Sequence, residues 1–140
     1  MRSNASDNAV TTTPQNRGAN VYYQTHVQSR SPLELVVMLY DGALRFLRET
    51  HDAMARRDLV TKARTLSRAL AIVSELQNNL NFDAAPEVSQ QLDDLYTYMT
   101  SRLVEANMKG DPAIIAEVVH LLETVREAWA EVAGRPSVAA

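Results

Sequence analysis

The chain has 140 residues, no cysteine, 14 lysines and arginines against 17 aspartates and glutamates, and a formal charge of −3. That length suits one domain with a core that needs no staples, and the missing thiols exclude a disulfide scaffold, a thiol nucleophile and thiolate metal ligands. Scarce glycine argues against phosphate-binding loops, no apolar run approaches the ~18 residues that span a membrane, and the slightly acidic balance gives no reason to expect nucleic acid.

Residues 1–20 hold Asn, Thr, Ser and Gln without apolar period, so they are expected to form a disordered tail. Residues 1–30 carry Arg2, Arg17 and Arg30 against Asp7, net +2, opposite in sign to the rest of the chain. At Ser31 the character changes. Ser31-Pro32-Leu33-Glu34 is a capping box with proline at the first helical position. The spacing of Val36, Tyr40, Leu44 and Leu47, beside a second row of Leu35, Leu39, Gly42 and Phe46, predicts a helix to about Arg57. Asp58 caps a second, which carries Leu66, Leu70, Val73 and Leu76 and ends near Leu80.

Asn78 to Asp83 reads as a turn. A third helix starts near Pro86, shows Val88, Leu92, Leu95, Met99 and Leu103, and stops at Gly110 as a left-handed cap. Asp111-Pro112 opens a fourth, with Ile115, Val118, Leu122, Val125 and Trp129, that ends at Gly134 and Pro136. No segment alternates long enough to be a strand. Four helices joined by short loops must be antiparallel neighbours. The expected fold is therefore all-α: an up-down-up-down four-helix bundle over 21–134, with a disordered arm at 1–20, a short N-terminal cap segment and a disordered end at 135–140.

Two chemistries known for helical bundles have partial signals in the chain. Glu117-Val118-Val119-His120 is half of a dimetal carboxylate site, but the second E-x-x-H that such bundles need is missing. Histidine phosphotransfer needs an exposed, cation-flanked histidine, whereas His51 stands among Glu49 and Asp52 and His120 is followed by Leu-Leu-Glu. No catalytic residue, metal ligand or cofactor site is assigned. Charge is segregated: residues 45–68 sum to +4 and residues 83–134 to −7. Complementary packing of neighbouring helices or a dipolar surface that orients a partner would each account for it.

The remaining signal is surplus apolar surface. Leu33, Leu35 to Leu39 and Tyr40 nearly encircle the first helix, and Tyr96 and Tyr98 lie off the Leu95/Met99 seam. A bundle helix needs only about three apolar positions per heptad. Wide faces on several helices suggest grooves for a partner helix, and the mid-helix Gly42 suits close approach of another backbone.

Several segments, in this order and spacing, resemble one family. They are Tyr22-Tyr23-Gln24 ahead of Ser31-Pro32, then Met38-Leu39-Tyr40-Asp41-Gly42, then Ile72 to Leu76 with Phe82-Asp83, then Leu95 to Met99 with Ala106-Asn107, and lastly Glu117-Val118 through Ala128-Trp129. The family is that of the flagellin-specific export chaperones (FliS), and the likeness covers roughly residues 22–130. The chain departs from it in a longer tail and in a turn at 81–85 without glycine. The resemblance implies a cytoplasmic chaperone without enzymatic activity. It would bind the disordered C-terminal segment of flagellin, prevent premature polymerisation and deliver its cargo to the flagellar type III export gate. It implies neither nucleic-acid binding nor membrane insertion, and a weak homo-oligomer stays open. On this reading Leu35, Met38, Leu39, Gly42, Phe46, Tyr96, Tyr98, Leu103 and Asn107 line the flagellin grooves. Asn107 would hydrogen-bond partner backbone, Tyr22 and Tyr23 would form a displaceable cap, and Leu122, Val125 and Trp129 would belong to the core.

Overall fold

Ser31 caps the first helix as its neighbours dictate: its hydroxyl accepts from the Glu34 amide at 3.1 Å, and Glu34 Oε1 accepts from the Ser31 amide at 2.9 Å. A computed structural model describes residues 31–135, and it has four helices there. α1 runs over Pro32–Arg56, α2 over Leu59–Asn78, α3 over Pro86–Lys109 and α4 over Pro112–Ala133. Each expected start is found. Asp58 accepts from the Thr61 amide, Asp111 accepts from the Ala113 amide, and proline opens α1, α3 and α4. α3 ends at Gly110 with φ +61°, where a side chain would be strained. The corresponding position after α1 is held by Arg57 at φ 58°, which no local sequence signal announced.

Consecutive helices pack side by side and α4 returns against α1, which closes an antiparallel ring. α1 is held most closely by α2 and α4. The centre is filled by one cluster drawn from all four helices, including Leu44 and Leu47, Leu66 and Val73, Met99 and Leu103, Ile115 and Leu122. Burial of such side chains, at roughly 1.5–3 kcal/mol each, is the main force holding the bundle.

Each adjacent pair also has a polar tie. Thr50 and Thr65 share a buried hydroxyl contact of 2.7 Å between α1 and α2. Gln77 donates to Asp93 and Thr97 between α2 and α3. Tyr98 and Arg102 both donate to Glu117 between α3 and α4. Arg126 pairs with Asp41, and Arg48 with Glu123, between α4 and α1. The diagonal from α1 to α3 is spanned by a 2.5 Å hydrogen bond between the buried Tyr40 and Tyr96 hydroxyls. Residues 1–30 and 136–140, with Tyr22, Tyr23 and the expected disordered arms, lie outside the described residues.

Candidate functional site

An up-down-up-down bundle gathers the start of α1, the end of α2, the start of α3 and the end of α4 at one end. There the helices leave a cleft of about 710 Å³. α1 contributes Leu33, Leu35, Val36 and Leu39, and α2 and the following turn contribute Leu76, Leu80, Ala84 and Ala85. α3 adds Val88, Leu92 and Tyr96, and α4 adds Trp129. None of the lining residues is charged. The cleft lies among the first turns of α1 and α3, which are diagonal to one another in the ring, and is also walled by the end of α2 and by Trp129 of α4.

The floor is polar at one point. Tyr40 and Tyr96 are both buried, and burial raises both phenol pKa values. The bond between them raises Tyr96 further and lowers Tyr40, the pattern of a Tyr96 O–H donating to the Tyr40 oxygen. The Trp129 indole N–H also acts on Tyr40, lowering its pKa, yet it is buried without a well-formed hydrogen bond.

The nine residues expected to line the flagellin grooves are not gathered in one place. Leu35 and Leu39 line the cleft, with Tyr96 at its floor. Gly42 faces α2, where a Cβ would stand 3.2 Å from Ile72 Cδ1. The close approach at this glycine is therefore made by the chain's own second helix. Phe46 is half-buried beneath Arg45 and Arg68, and Met38 is half-buried on α1. Tyr98 and Asn107 are exposed on α3.

Three expectations need correcting. Leu103 is fully buried in the core and lines no groove. Tyr96 is also a core side chain, 1% exposed, and not a residue off the seam. The apolar row of α3 runs through Leu92, Tyr96, Met99, Leu103 and Ala106 at helical spacing, and the Tyr40 hydroxyl satisfies the one polar atom Tyr96 brings into it. Tyr98, two residues on, points elsewhere and donates to Glu117. Trp129 corrects in the other direction. It packs against the core but also lines the cleft, because it sits in the last turns of α4 at the open end. Leu122 is fully buried and Val125 packs against the core.

Sequence reasoning missed the α2–α3 half of the cleft, Leu76, Leu80 and Val88 above all. The signal was present in the exposed apolar Val88 one turn before Leu92. It is legible only once α1 is known to stand opposite.

Neither alternative chemistry finds its geometry. The Glu117 carboxylate is engaged by the Tyr98 hydroxyl and then by the Arg102 guanidinium, which hold it below the usual carboxylate range. No group of three or more metal-ligating side chains is assembled among the described residues. His51 and His120 border one shallow depression with Arg48, whose guanidinium is committed to Glu123. Complementary packing accounts for only part of the charge segregation, since among the described residues Arg48 is the one cation of residues 45–68 paired across the bundle. No helix among the described residues is long and apolar enough to cross a membrane.

A helical bundle with an uncharged, largely apolar cleft has the kind of surface that can receive apolar side chains. The family model described as flagellar protein FliS matches residues 14–136. The flagellar secretion chaperone FliS of Bacillus subtilis is 38% identical over 108 residues, covering 77% of this chain and 80% of that protein. Its Salmonella typhimurium counterpart is 35% identical over 120 residues, covering 85% and 89%. A crystal structure of a bacterial flagellar chaperone superposes with a TM-score of 0.69 at 17% identity, covering 85% of this chain and 97% of that one, which supports the fold. The chain belongs to the FliS family of flagellar secretion chaperones, and the family is not one of enzymes.

Proposed function

We propose that this chain is a cytoplasmic chaperone for flagellin. It holds the disordered C-terminal segment of that protein by seating apolar side chains in the cleft between the first turns of α1 and α3, so that the subunit neither polymerises early nor aggregates before it reaches the flagellar type III export gate. The observation that carries this reading is the 710 Å³ cleft without a charged lining residue, in a member of this family. A segment that folds only on docking loses part of its burial energy to ordering, which keeps affinity within a range that allows release. The bundle proper spans 21–134 on this reading, with 1–20 and 135–140 as appendages.

Tyr22 and Tyr23 serve as a cap in the empty state. Ser31 caps α1 beside Pro32 at the cleft, and the eight steps from Tyr23 to Ser31 reach at most ~29 Å when extended. A connection of that length would let the tyrosines cover the apolar walls, to be displaced by the partner.

Trp129 is the only tryptophan and lines the cleft, so it is a built-in reporter. Titration with the C-terminal segment of the cognate flagellin should shift its emission to shorter wavelength in a saturable manner. Val88 is half-exposed on the cleft wall, so Val88→Asp should leave the fold intact while weakening binding at least tenfold in calorimetry. Leu39→Asp should do the same. Unchanged affinity in both variants would refute the cleft as the site, and equal capture of flagellin lacking its C-terminal region would refute the partner segment.

A further inference from the structure

The cations of the bundle fall into two groups. Arg48, Arg56, Arg102, Lys109, Arg126 and Arg135 each have a carboxylate partner. Arg45, Arg57, Lys62, Arg64 and Arg68 have none among the described residues, and all of them lie on the second half of α1, the first half of α2 or the turn between. Even Glu49, one helical turn from Arg45, forms no ion pair with it.

Two of these cations are held in place by a ring. The Arg45 guanidinium lies 4.8 Å from the Phe46 ring centroid and that of Arg68, from the neighbouring helix, lies 5.7 Å from it. Both are within the ~6 Å range of cation–π attraction. Attraction to the ring restrains each guanidinium without using its N–H donors on a carboxylate, and a guanidinium so held suits capture of an incoming carboxylate. Arg64, one turn before Arg68, extends the same face of α2. Two guanidiniums against one ring with no anion between them repel each other, so an incoming carboxylate relieves a repulsion as well as forming hydrogen bonds.

The sign of the charge selects the occupant. Residues 1–30 are net positive and are not attracted there. The acidic α3–α4 half of a second copy lies on other helices than the basic face, so a contact that uses each half once is heterologous and closes into a ring or runs on into a filament. An acidic stretch of the export partner has neither difficulty, and it has the length. Leu39 on the cleft wall and Phe46 are seven residues apart on α1, ~10 Å along the axis. Three or four extended residues cover that distance.

We propose that the Phe46 platform, with Arg45, Arg64 and Arg68, is a second subsite that holds a carboxylate-bearing stretch of the same segment whose apolar residues fill the cleft. This rests on the cleft reading and adds to it an electrostatic anchor that salt weakens.

The test is calorimetry of the full chain with the C-terminal segment of the cognate flagellin at 50 mM and 500 mM NaCl, for wild type, Arg45→Gln/Arg68→Gln and Val88→Asp. Wild-type affinity should fall about tenfold at the higher salt. The double glutamine variant should bind about tenfold more weakly at 50 mM, show little salt dependence and keep its thermal midpoint. Replacing the segment's Asp and Glu by Asn and Gln should cause the same loss, and the two changes should not add, since they remove one interaction. Val88→Asp should weaken binding at both salts. If the glutamine variant binds with wild-type affinity and salt dependence while Val88→Asp does not, the second subsite is refuted and the cleft stands. If wild type fails to bind, both are refuted. Loss of binding to anionic phosphatidylglycerol vesicles in the glutamine variant, with flagellin affinity unchanged, would assign the patch to a membrane surface and overturn the proposal.

Discussion

Tyr40 and Tyr96 show how a polar atom is carried into an apolar core. Each ring is buried fully, and each hydroxyl is tolerable there because the other meets it at 2.5 Å. Removing one partner strands the other, at a cost of about 1–3 kcal/mol, whereas removing both leaves two apolar rings of nearly the same shape. Tyr40→Phe should cost more than Tyr96→Phe, because it orphans the Tyr96 O–H and also takes away the oxygen that the Trp129 N–H faces. The double phenylalanine variant should cost less than the sum of the singles in urea denaturation. The same pair sets an alkaline limit. Both phenols are raised above the ordinary value of 10.0, so their contribution is complete below pH 10 and is lost as the pH rises beyond it. The unfolded chain then ionises while the folded chain resists, at up to about 1.4 kcal/mol per pH unit for each group. Unfolding followed between pH 9 and 12 should show this decline, and the double phenylalanine variant should lack that part of it. At this scale the sequence showed two tyrosines but not that they meet. A hydrogen bond between residues 56 positions apart has no local signature.

Gly42 illustrates what an element needs from its neighbour. Its place in Leu39-Tyr40-Asp41-Gly42 fits a groove that admits a partner backbone, but the nearest obstacle to a Cβ is Ile72 Cδ1 on α2 at 3.2 Å. That atom is the free end of a half-buried side chain and can move by a few tenths of an ångström. Alanine gains about 0.5–1 kcal/mol over glycine in a helix interior. Gly42→Ala should therefore stabilise modestly in urea denaturation without changing flagellin affinity. Gly42→Leu should destabilise by about 1–3 kcal/mol, since overpacking must push α1 from α2. A loss of affinity in the alanine variant with stability unchanged would return the glycine to the partner groove. The helices themselves were legible almost to the residue, because their ends are written locally in Ser31-Pro32, Asp58, Gly110 and Asp111-Pro112. Which face of each helix is inside was less legible. On α1 nearly every face is apolar, and on α3 a tyrosine at a core position looked like one outside it.

The molecule as a whole has one core, to which all four helices contribute. Loss of any helix exposes the inner faces of its neighbours, so unfolding should be two-state. Urea transitions read by helical circular dichroism and by Trp129 emission should coincide, and an earlier Trp129 transition would mean that the cleft end opens on its own. The exposed ion pairs that join α1 to α4 should matter little to this equilibrium. The unpaired cations on α1 and α2 were visible as a +4 stretch, but pairing is a property of the surface. Only the positions of Glu117, Glu123 and Asp41 against α3, α1 and α4 show which arginines are committed and which are left for a partner.

By itself the sequence determined the helices, their limits, their antiparallel order and the family to which they belong. Those depend on caps, on the 3.6-residue period and on short loops, all of them interactions between near neighbours along the chain. The tertiary structure decided that much of the surplus apolar surface of α1 lines a cleft with the end of α2 and the start of α3. It also decided that Tyr96 and Leu103 are core, that Trp129 borders the cleft, and that Phe46 carries two unpaired guanidiniums. Burial and pairing depend on which surfaces meet across the bundle, and residues dozens of positions apart leave no record of that in their spacing.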